Sequence, residues 1–346
     1  MSRCVSFWPP ALAAGSRRQW LALGAASLCL GRVQAAEPDG LAAVPPGTRL
    51  VVADQNEVFQ TLLRASGVHK GLATQVQFAN FQGGPAILEA FRAGALDLAL
   101  VGSTPPIQAH AAGEDLPIVA ARKSTAPDYT FVLRPGLDIQ TLQAFRGKKI
   151  AYAEGTGRQP FVLSALKQAG LSTRDVKLVP LRAGEFATAV RTSQVDIAAL
   201  VEPHTRRYLR DFADENAKAL PPSAHQGLPT QTAYLYARRK ALSDPAKRAA
   251  IREVVQGWIT AGQWQVRNPR EWVQAYHVKQ GLSERDGLAI VEGEGAVTFP
   301  LLRDLVAEQQ ATIDLIHAAG DLPRRLDARE EFDFRFDAVI AAATRR

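Results

Sequence analysis

AILEAFRAGALDLALVGSTPPIQAHAAG, residues 86–113, contains the alternation of helix and strand on which the fold prediction rests. The spacing of apolar residues over 85–93 predicts a helix that ends at the following glycine. Residues 96–101 form a nearly continuous apolar run, as in a strand covered on both faces. A second helix is predicted over 105–112, because proline is favoured at a helix start and Gly113 supplies a stop.

The same alternation extends along the chain in both directions from this stretch. The predicted strands are 49–53, 74–78, 96–101, 116–121, 129–133, 148–153, 176–179, 195–201 and 231–238. The predicted helices are 58–65, 85–93, 105–112, 137–145, 160–169, 185–192, 245–266, 269–280 and 302–318. Two successive β-α-β-α-β runs with short connections predict an α/β fold with two doubly wound lobes and parallel sheets.

The order of these elements also predicts the domain organisation. A chain that builds one lobe, builds a second and then returns over the first makes a hinged clamshell. We expect the first lobe to comprise residues 48–129 and 232–346 and the second lobe to comprise 130–231, joined by a two-strand hinge. A chain of 346 residues is long enough for two such lobes.

Residues 1–36 have the composition of a secretory signal. Arg17 and Arg18 precede an apolar run over 20–30, and small residues lead up to Ala36. The arginine pair and the residues after it resemble the twin-arginine export motif, with a general secretory signal as the alternative. We therefore expect a cleaved signal peptide and a periplasmic protein.

Removal of this segment would change the charge and the cysteine content. The chain has 41 basic residues, four of them in the signal segment, against 34 acidic residues, so the mature net charge falls to about +3. Both cysteines, Cys4 and Cys29, would also be removed, which excludes disulfides and thiolate chemistry from the mature protein. No basic block lies beyond the signal segment, so no nucleic-acid partner is predicted.

Three turns follow predicted strands at the edge where open parallel sheets bind ligands. They are ADQN at 53–56, VGSTPP at 101–106 and EGTGRQP at 154–160. Free backbone N–H groups, hydroxyls and the positive end of a helix together form an anion site at such a turn, and Arg158 adds a cation. Helix capping is the alternative function of these residues.

The residue patterns of common enzyme classes are missing from the sequence. There is no nucleophile elbow, no phosphate-binding lysine loop and no dinucleotide fingerprint at the start of the first lobe. The six histidines do not have metal-ligand spacing, so neither a metal nor a cofactor is predicted. We interpret Asp97 and Asp196, at matching places in the two lobes, as structural turn residues. The expected function is binding and not catalysis.

Several of these stretches resemble the periplasmic aliphatic-sulfonate, taurine and nitrate binding proteins. The matching stretches are 86–99, 102–109, 112–113, 155–157, 167–171, 195–198, 202–204, 308–310 and 322–323. The resemblance covers roughly residues 48–328 and implies a type II periplasmic-binding-protein fold that serves an ABC importer. Arg158 departs from the family, which often has a small residue there, and Glu202 replaces a shorter aspartate.

The resemblance also implies a ligand site between the lobes. The residues that it assigns to this site are Gln55, Ser103, Thr104, Pro105, Gly155, Thr156, Gly157 and Gln159, with Glu202 and Pro203 at the edge. Arg158 could donate two hydrogen bonds to an oxyanion. An organic tail would lie among aromatic residues such as Phe59, Tyr129 or Tyr234.

The expected ligand is an alkane- or arylsulfonate, taken up as a sulfur source through an ABC permease in the inner membrane. Another small anion, such as nitrate, taurine or a sulfate ester, is an alternative. A thiamine-precursor-like pyrimidine is a further alternative if Glu202 faces the pocket as an acceptor. A periplasmic enzyme on the same fold is the alternative from a different class. We expect the protein to be a monomer.

Overall fold

Two β-sheets organise the part of the chain that this computed structural model describes, which is residues 43–81, 83–127 and 129–345. The predicted signal peptide, its twin-arginine motif and both cysteines lie outside the described residues. None of the helices in the described ranges combines the length and the apolar character that crossing a bilayer requires.

The strands divide between a six-stranded and a five-stranded sheet. They are β1 (Arg49–Asp54), β2 (Gln75–Asn80), β3 (Leu98–Gly102), β4 (Ile118–Pro127), β5 (Thr130–Leu133), β6 (Lys149–Tyr152), β7 (Lys177–Pro180), β8 (Ile197–Leu200), β9 (Lys218–Ala219), β10 (Thr230–Ala237) and β11 (Val297–Thr298). The first sheet has the order β11-β4-β10-β3-β1-β2 and the second sheet has the order β7-β6-β8-β5-β9.

Both sheets are mixed. In the first sheet β1 is parallel to β2 and β3, and in the second sheet β6 is parallel to β7 and β8. By contrast, β10 is antiparallel to β3 and β4, and β5 is antiparallel to β8 and β9. The predicted parallel pairing therefore holds for strands joined by helices. The antiparallel strands β5 and β10 are the ones next to the two places where the chain passes between the sheets.

The helices pack around these sheets. The α-helices are α1 (Val58–Ala65), α2 (Gly84–Arg92), α3 (Thr104–Ala111), α4 (Arg158–Gln168), α5 (Phe186–Arg191), α6 (His204–Asp211), α7 (Arg239–Ser243), α8 (Pro245–Arg267), α9 (Pro269–Trp272), α10 (Glu284–Gly293), α11 (Leu302–Ala318) and α12 (Asp337–Thr344). A π-helical segment, Val273–Val278, follows α9. The helix predicted over 137–145 is wrong in length, since only the 3-10 turn Leu142–Phe145 forms. Thr141, just before this turn, has an extended backbone with a φ of −135° and a ψ of 155°, so helical backbone does not begin until Leu142.

Each sheet has its own hydrophobic core, and α11 contributes to both. Leu302 and Leu305, near the start of α11, belong to the core of the first sheet. Ile313 and Ile316, near its end, belong to the core of the second sheet. The helix therefore connects the two cores. The lobe boundaries expected from the sequence stay a prediction.

One aspartate in each sheet holds two parallel strands together. Asp97 precedes β3 and accepts a hydrogen bond from the Val51 N–H of β1 at 3.0 Å. Asp196 precedes β8 and accepts one from the Lys149 N–H of β6 at 2.8 Å. Arg134 Nε donates to the second oxygen of Asp196 at 2.8 Å. The structural role predicted for the two aspartates is confirmed, because both carboxylates are occupied by strand N–H groups.

These contacts predict a pH-dependent contribution of Asp196 to stability. Burial acts to raise the pKa of Asp196, but the Lys149 N–H and Arg134 outweigh it and hold the pKa below its usual value. The stabilisation is therefore present above the unfolded pKa of about 3.9 and is lost as the pH falls through the lower folded pKa. We expect Asp196→Asn to reduce the free energy of unfolding by about 1–3 kcal/mol near neutral pH.

Urea denaturation near neutral pH and at about pH 3 measures this difference. The loss should shrink at acidic pH, where the native carboxyl also becomes protonated. Asp138→Asn is the control, because Asp138 makes an exposed ion pair with Lys218 and surface pairs contribute little. A loss of equal size at both pH values would contradict the assignment.

Candidate ligand-binding site

The α3 turn, Ser103–Pro105, leads from the buried strand β3 directly into α3. Proline lacks the N–H that would be unsatisfied at this position, which suits a helix start. Thr104 is fully buried, and its Oγ1 has no hydrogen-bond partner among the described residues. A buried hydroxyl without a partner costs about 1–3 kcal/mol, so this one requires an explanation. A ligand atom at the helix N-terminus would supply one.

The α4 turn, Gly155–Gln159, leads from β6 into α4. Gly155 has a φ of +70°, a conformation that glycine adopts without strain, and its N–H donates to Gln159 Oε1 at 3.0 Å. The hydroxyl of Thr156 accepts from the Arg158 N–H at 3.3 Å. Within the described ranges, the N–H groups of Thr156 and Gly157 have no partner. The N–H groups of Gly155 and Arg158 therefore have partners within the turn, and those of Thr156 and Gly157 are left to donate to a ligand.

Arg158 is held in a fixed orientation at the start of α4. Its Nε donates to the Ala199 carbonyl at the end of β8, at 3.1 Å. Its Cζ lies 5.0 Å from the ring centroid of Tyr129 and 5.3 Å from that of Phe186, which are cation–π distances. Neither Nη group has a hydrogen-bond or ion-pair partner among the residues that the structure describes. The hydrogen bond from Nε and the rings of Tyr129 and Phe186 therefore position the guanidinium, and its two Nη groups are left to donate to a ligand.

The structure brings the α3 turn and the α4 turn together at the start of α2. A Cβ placed on Gly84 would lie 2.5 Å from Pro105 Cγ and 3.7 Å from the carbonyl oxygen of Gly155. A cavity of about 230 Å³ lies at this corner. Its lining residues are Gly84, Pro85, Leu88, Glu89, Pro105, Gln108, Glu154 and Gly155. Groups from both sheets thus meet around one space.

Gln159 and Gln55 direct their side chains toward the protein. Gln159 is 1% exposed, and its Nε2 donates to Asp321 at 2.7 Å while its Oε1 accepts from Gly155. The half-buried Gln55, at the end of β1, donates from Nε2 to the Leu100 carbonyl at 3.2 Å. Both ends of the Gln159 amide are therefore engaged in supporting the α4 turn.

Glu202 lies just before α6, next to a basic residue of that helix. Its Oε1 is 3.4 Å from Arg206 Nε, and its Oε2 accepts from the Arg206 N–H at 3.4 Å. Burial raises the pKa of Glu202, Arg206 opposes that rise and Asp286 adds to it. The carboxylate therefore has a cationic partner in the helix that follows it. The Glu202–Pro203 peptide bond is cis.

The contacts that α6 makes with α10 and with the segment before it were not predicted from the sequence. Arg206 Nη1 lies 3.9 Å from Asp286 Oδ1, and Arg207 donates to the carbonyl of Gln280. These contacts join an element beside the second sheet to one beside the first. The basic pair after Glu202-Pro203 was the available signal, but its partners lie more than 70 residues further along the chain, beyond the reach of local patterns.

All three aromatic residues expected near an organic tail are buried core residues. Phe59 is fully buried and packs on Phe78 and Trp258, with ring centroids 5.5 and 6.2 Å away. Tyr234 is 1% exposed and donates from its hydroxyl to Gln309 Oε1 at 3.2 Å. The expectation is wrong for these two because the core encloses them. Tyr129 is buried in the core of the second sheet, and its ring also lies against Arg158.

Over 43–81, 83–127 and 129–345, His, Cys, Asp and Glu side chains do not gather into a group of three that could hold a metal ion. The arrangement of unpaired N–H groups, a buried hydroxyl and a guanidinium is chemically suited to hydrogen-bonding a small oxyanion.

Comparison with known proteins places this geometry in a family. A protein of Escherichia coli (strain K12) named as aliphatic sulfonates-binding is 27% identical over 267 residues, covering 74% of this chain and 79% of the relative. A Bacillus subtilis (strain 168) protein with the same description is 24% identical over 287 residues and covers 83% of each chain.

The alkanesulfonate-binding protein of Xanthomonas axonopodis pv. citri, solved bound to MOPS, superposes with a TM-score of 0.72 at 25% identity. The match covers 84% of this chain and 99% of that structure. The two-sheet α/β architecture is thus the predicted periplasmic-binding-protein fold. The sequence profile described as NMT1/THI5 like matches residues 69–271, which is more than half of the chain. The chain belongs to the NMT1/THI5-like family.

Proposed function

We propose that the protein is the periplasmic solute-binding component of an ABC importer and that it binds an alkane- or arylsulfonate between its two sheets. The observation that carries the proposal is the pair of helix-starting turns, one from each sheet, with hydrogen-bond donors left unpaired among the described residues. The names of the relatives, which refer to sulfonate binding, support the same ligand class.

The ligand's sulfonate group would be held by donors from both turns. From the α3 turn, the Thr104 hydroxyl and the positive end of α3 would contribute. From the α4 turn, the N–H groups of Thr156 and Gly157 and the Nη groups of Arg158 would contribute. Hydrogen bonds to an ionised acceptor are roughly twice as strong as neutral ones. Because the donors come from both sheets, the ligand would favour the closed arrangement of the two.

The available donors favour an anion over a pyrimidine as the ligand. A pyrimidine bearing an amino group would need an acceptor such as the Glu202 carboxylate. That carboxylate is within 3.4 Å of Arg206 and is thereby compensated inside the protein. Gln159, which could also accept, has its amide oxygen engaged by the Gly155 N–H. We therefore rank the sulfonate first.

We further propose a binding protein without catalytic activity, a cleaved signal over residues 1–36, a permease as the membrane partner and a monomeric state. The relatives described as sulfonate-binding support the binding role. The lack of a nucleophile elbow or a phosphate loop in the sequence supports it as well.

Isothermal titration calorimetry on the purified protein tests the ligand class. The panel consists of ethanesulfonate, benzenesulfonate, MOPS, taurine, nitrate and an aminopyrimidine. We expect one sulfonate bound per chain and no consumption of any compound during long incubation. Preferential binding of the aminopyrimidine, or turnover of a panel compound, would contradict the proposal. Native mass spectrometry of protein taken from its own periplasm would identify a retained ligand directly.

Arg158→Ala should weaken sulfonate binding at least about tenfold, because it removes one or two charge-assisted hydrogen bonds of about 1.5–3 kcal/mol each. Arg191→Ala is a matched control. Arg191 also makes a cation–π contact, 4.6 Å from the ring of Phe212, but it pairs with the exposed Glu215. Calorimetry that shows equal affinities for both variants would remove Arg158 from the site.

Thr104→Val separates a ligand contact from a structural role. Valine keeps the shape but lacks the hydroxyl that is unpaired among the described residues, so the ligand-free protein should be as stable as wild type or more stable. Sulfonate affinity should fall about five- to tenfold. Thr205→Val is the control, since the Thr205 hydroxyl is likewise buried without a partner in the described ranges but lies in α6. Unchanged affinity in Thr104→Val would exclude the contact.

A further inference from the structure

The C-terminal part of the chain reaches both turns of the candidate site. Residues 302–331, which we call the brace segment, contain α11, the loop after it and the 3-10 turn Ala328–Glu331. At about 1.5 Å per residue, the 17 residues of α11 span roughly 25 Å, enough to run from the core of the first sheet to that of the second. Three of its polar side chains, Gln309, Asp321 and Glu331, make the contacts described next.

Gln309 holds the α3 turn. It is 1% exposed, and its Nε2 donates both to the Ser103 carbonyl at 3.1 Å and to Glu331 Oε2 at 2.7 Å. Its Oε1 accepts from the Tyr234 hydroxyl. The amide has no freedom to rotate without breaking these bonds. Glu331 is itself buried and lies 3.2 Å from a ring nitrogen of His110, so the anchor of Gln309 is also fixed.

The Ser103 carbonyl belongs to the same peptide group as the Thr104 N–H. In a planar trans peptide the carbonyl and the N–H point in opposite directions. A hydrogen bond from Gln309 to Ser103 therefore fixes the direction in which the Thr104 N–H points at the start of α3. No contact between Gln309 and the ligand is needed for this effect.

Asp321 holds the α4 turn in a comparable way. Its Oδ2 accepts from the Tyr152 hydroxyl at 2.6 Å and from Gln159 Nε2 at 2.7 Å. The other end of the Gln159 amide accepts from the Gly155 N–H. The Asp321 carboxylate thus acts on the turn through Gln159. Each turn is thus supported by one buried glutamine that is paired with a carboxylate of the brace segment. For the α3 turn the pair is Gln309 and Glu331, and for the α4 turn it is Gln159 and Asp321.

We propose that the brace segment sets the geometry of both half-sites, with Gln309 and Asp321 as positioning residues for the bound anion. The inference rests on the proposed function, since it assigns these residues a role in ligand affinity. Its physical basis is that backbone N–H donors are effective only when their peptide planes are held in place before the ligand arrives.

The first test compares Gln309→Met with Gln310→Met, using MOPS and ethanesulfonate as probes. Gln310 is the matched control, because its amide also makes three hydrogen bonds, to Asp314, Leu326 and Ala328, but none of them to a site turn. Both variants should lower the melting temperature. Only Gln309→Met should weaken probe binding, by about tenfold, and Gln310→Met should change it less than about twofold.

The second test compares Asp321→Ala with Tyr152→Phe. Tyr152→Phe removes one hydrogen bond to Asp321 and leaves the bond from Gln159 in place. We expect about a tenfold loss of probe affinity in Asp321→Ala and less than about a twofold loss in Tyr152→Phe. If Gln309→Met does not fold, this pair decides the proposal.

NMR on the ligand-free proteins adds a readout that does not require a ligand. The Thr104 amide resonance should shift in Gln309→Met and stay in place in Gln310→Met. If the wild type binds neither these probes nor benzenesulfonate, the proposed function is wrong, whatever the amide shift shows. If the wild type binds the probes and the two members of each pair bind them equally, the positioning role is wrong and the proposed function stands.

Discussion

The site depends on one property of the α-helix, which is that the N–H groups at its start have no partner inside the helix. Both turns occur where a strand of each sheet passes into a helix, so these donors gather at the carboxyl edges of the sheets. Proline in the α3 turn removes one of these N–H groups, and the internal hydrogen bonds of the α4 turn provide partners for others. The remaining donors, among the described residues, have no protein partner. An anion is the group that compensates them best.

Much of the fold could be predicted from the sequence, because local signals and tertiary packing agree there. The ends of α1 and α11 match the predicted helices at both ends, since each has a clear apolar period and a recognisable stop. The glycine- and proline-containing turns were found for the same reason. Their residue types are those that a strand-to-helix turn requires, whatever the rest of the chain does.

The parts that could not be predicted depend on contacts distant in sequence. The direction of the Gln159 amide is decided by Asp321, more than 150 residues away. Phe59 and Tyr234 are residue types that often line binding sites, but packing from several elements buries both in the core. The polar helix α6 is held by contacts with Gln280 and Asp286, more than 70 residues further along the chain. Periodicity and motif spacing report on neighbours along the chain and carry no information on these partners.

At the corner where the two sheets approach one another, half of the lining residues have no side-chain rotamers. These are Gly84, Pro85, Pro105 and Gly155, whereas Leu88, Glu89, Gln108 and Glu154 line the rest of the cavity and do have rotamers to lose. Surfaces built from lysine, glutamine or methionine would lose up to about 2 kcal/mol of rotamer freedom for each ordered side chain. The close approach of Gly84 to Pro105 and Gly155 therefore costs no rotamer freedom, and the side-chain entropy lost at this corner is limited to the four longer side chains.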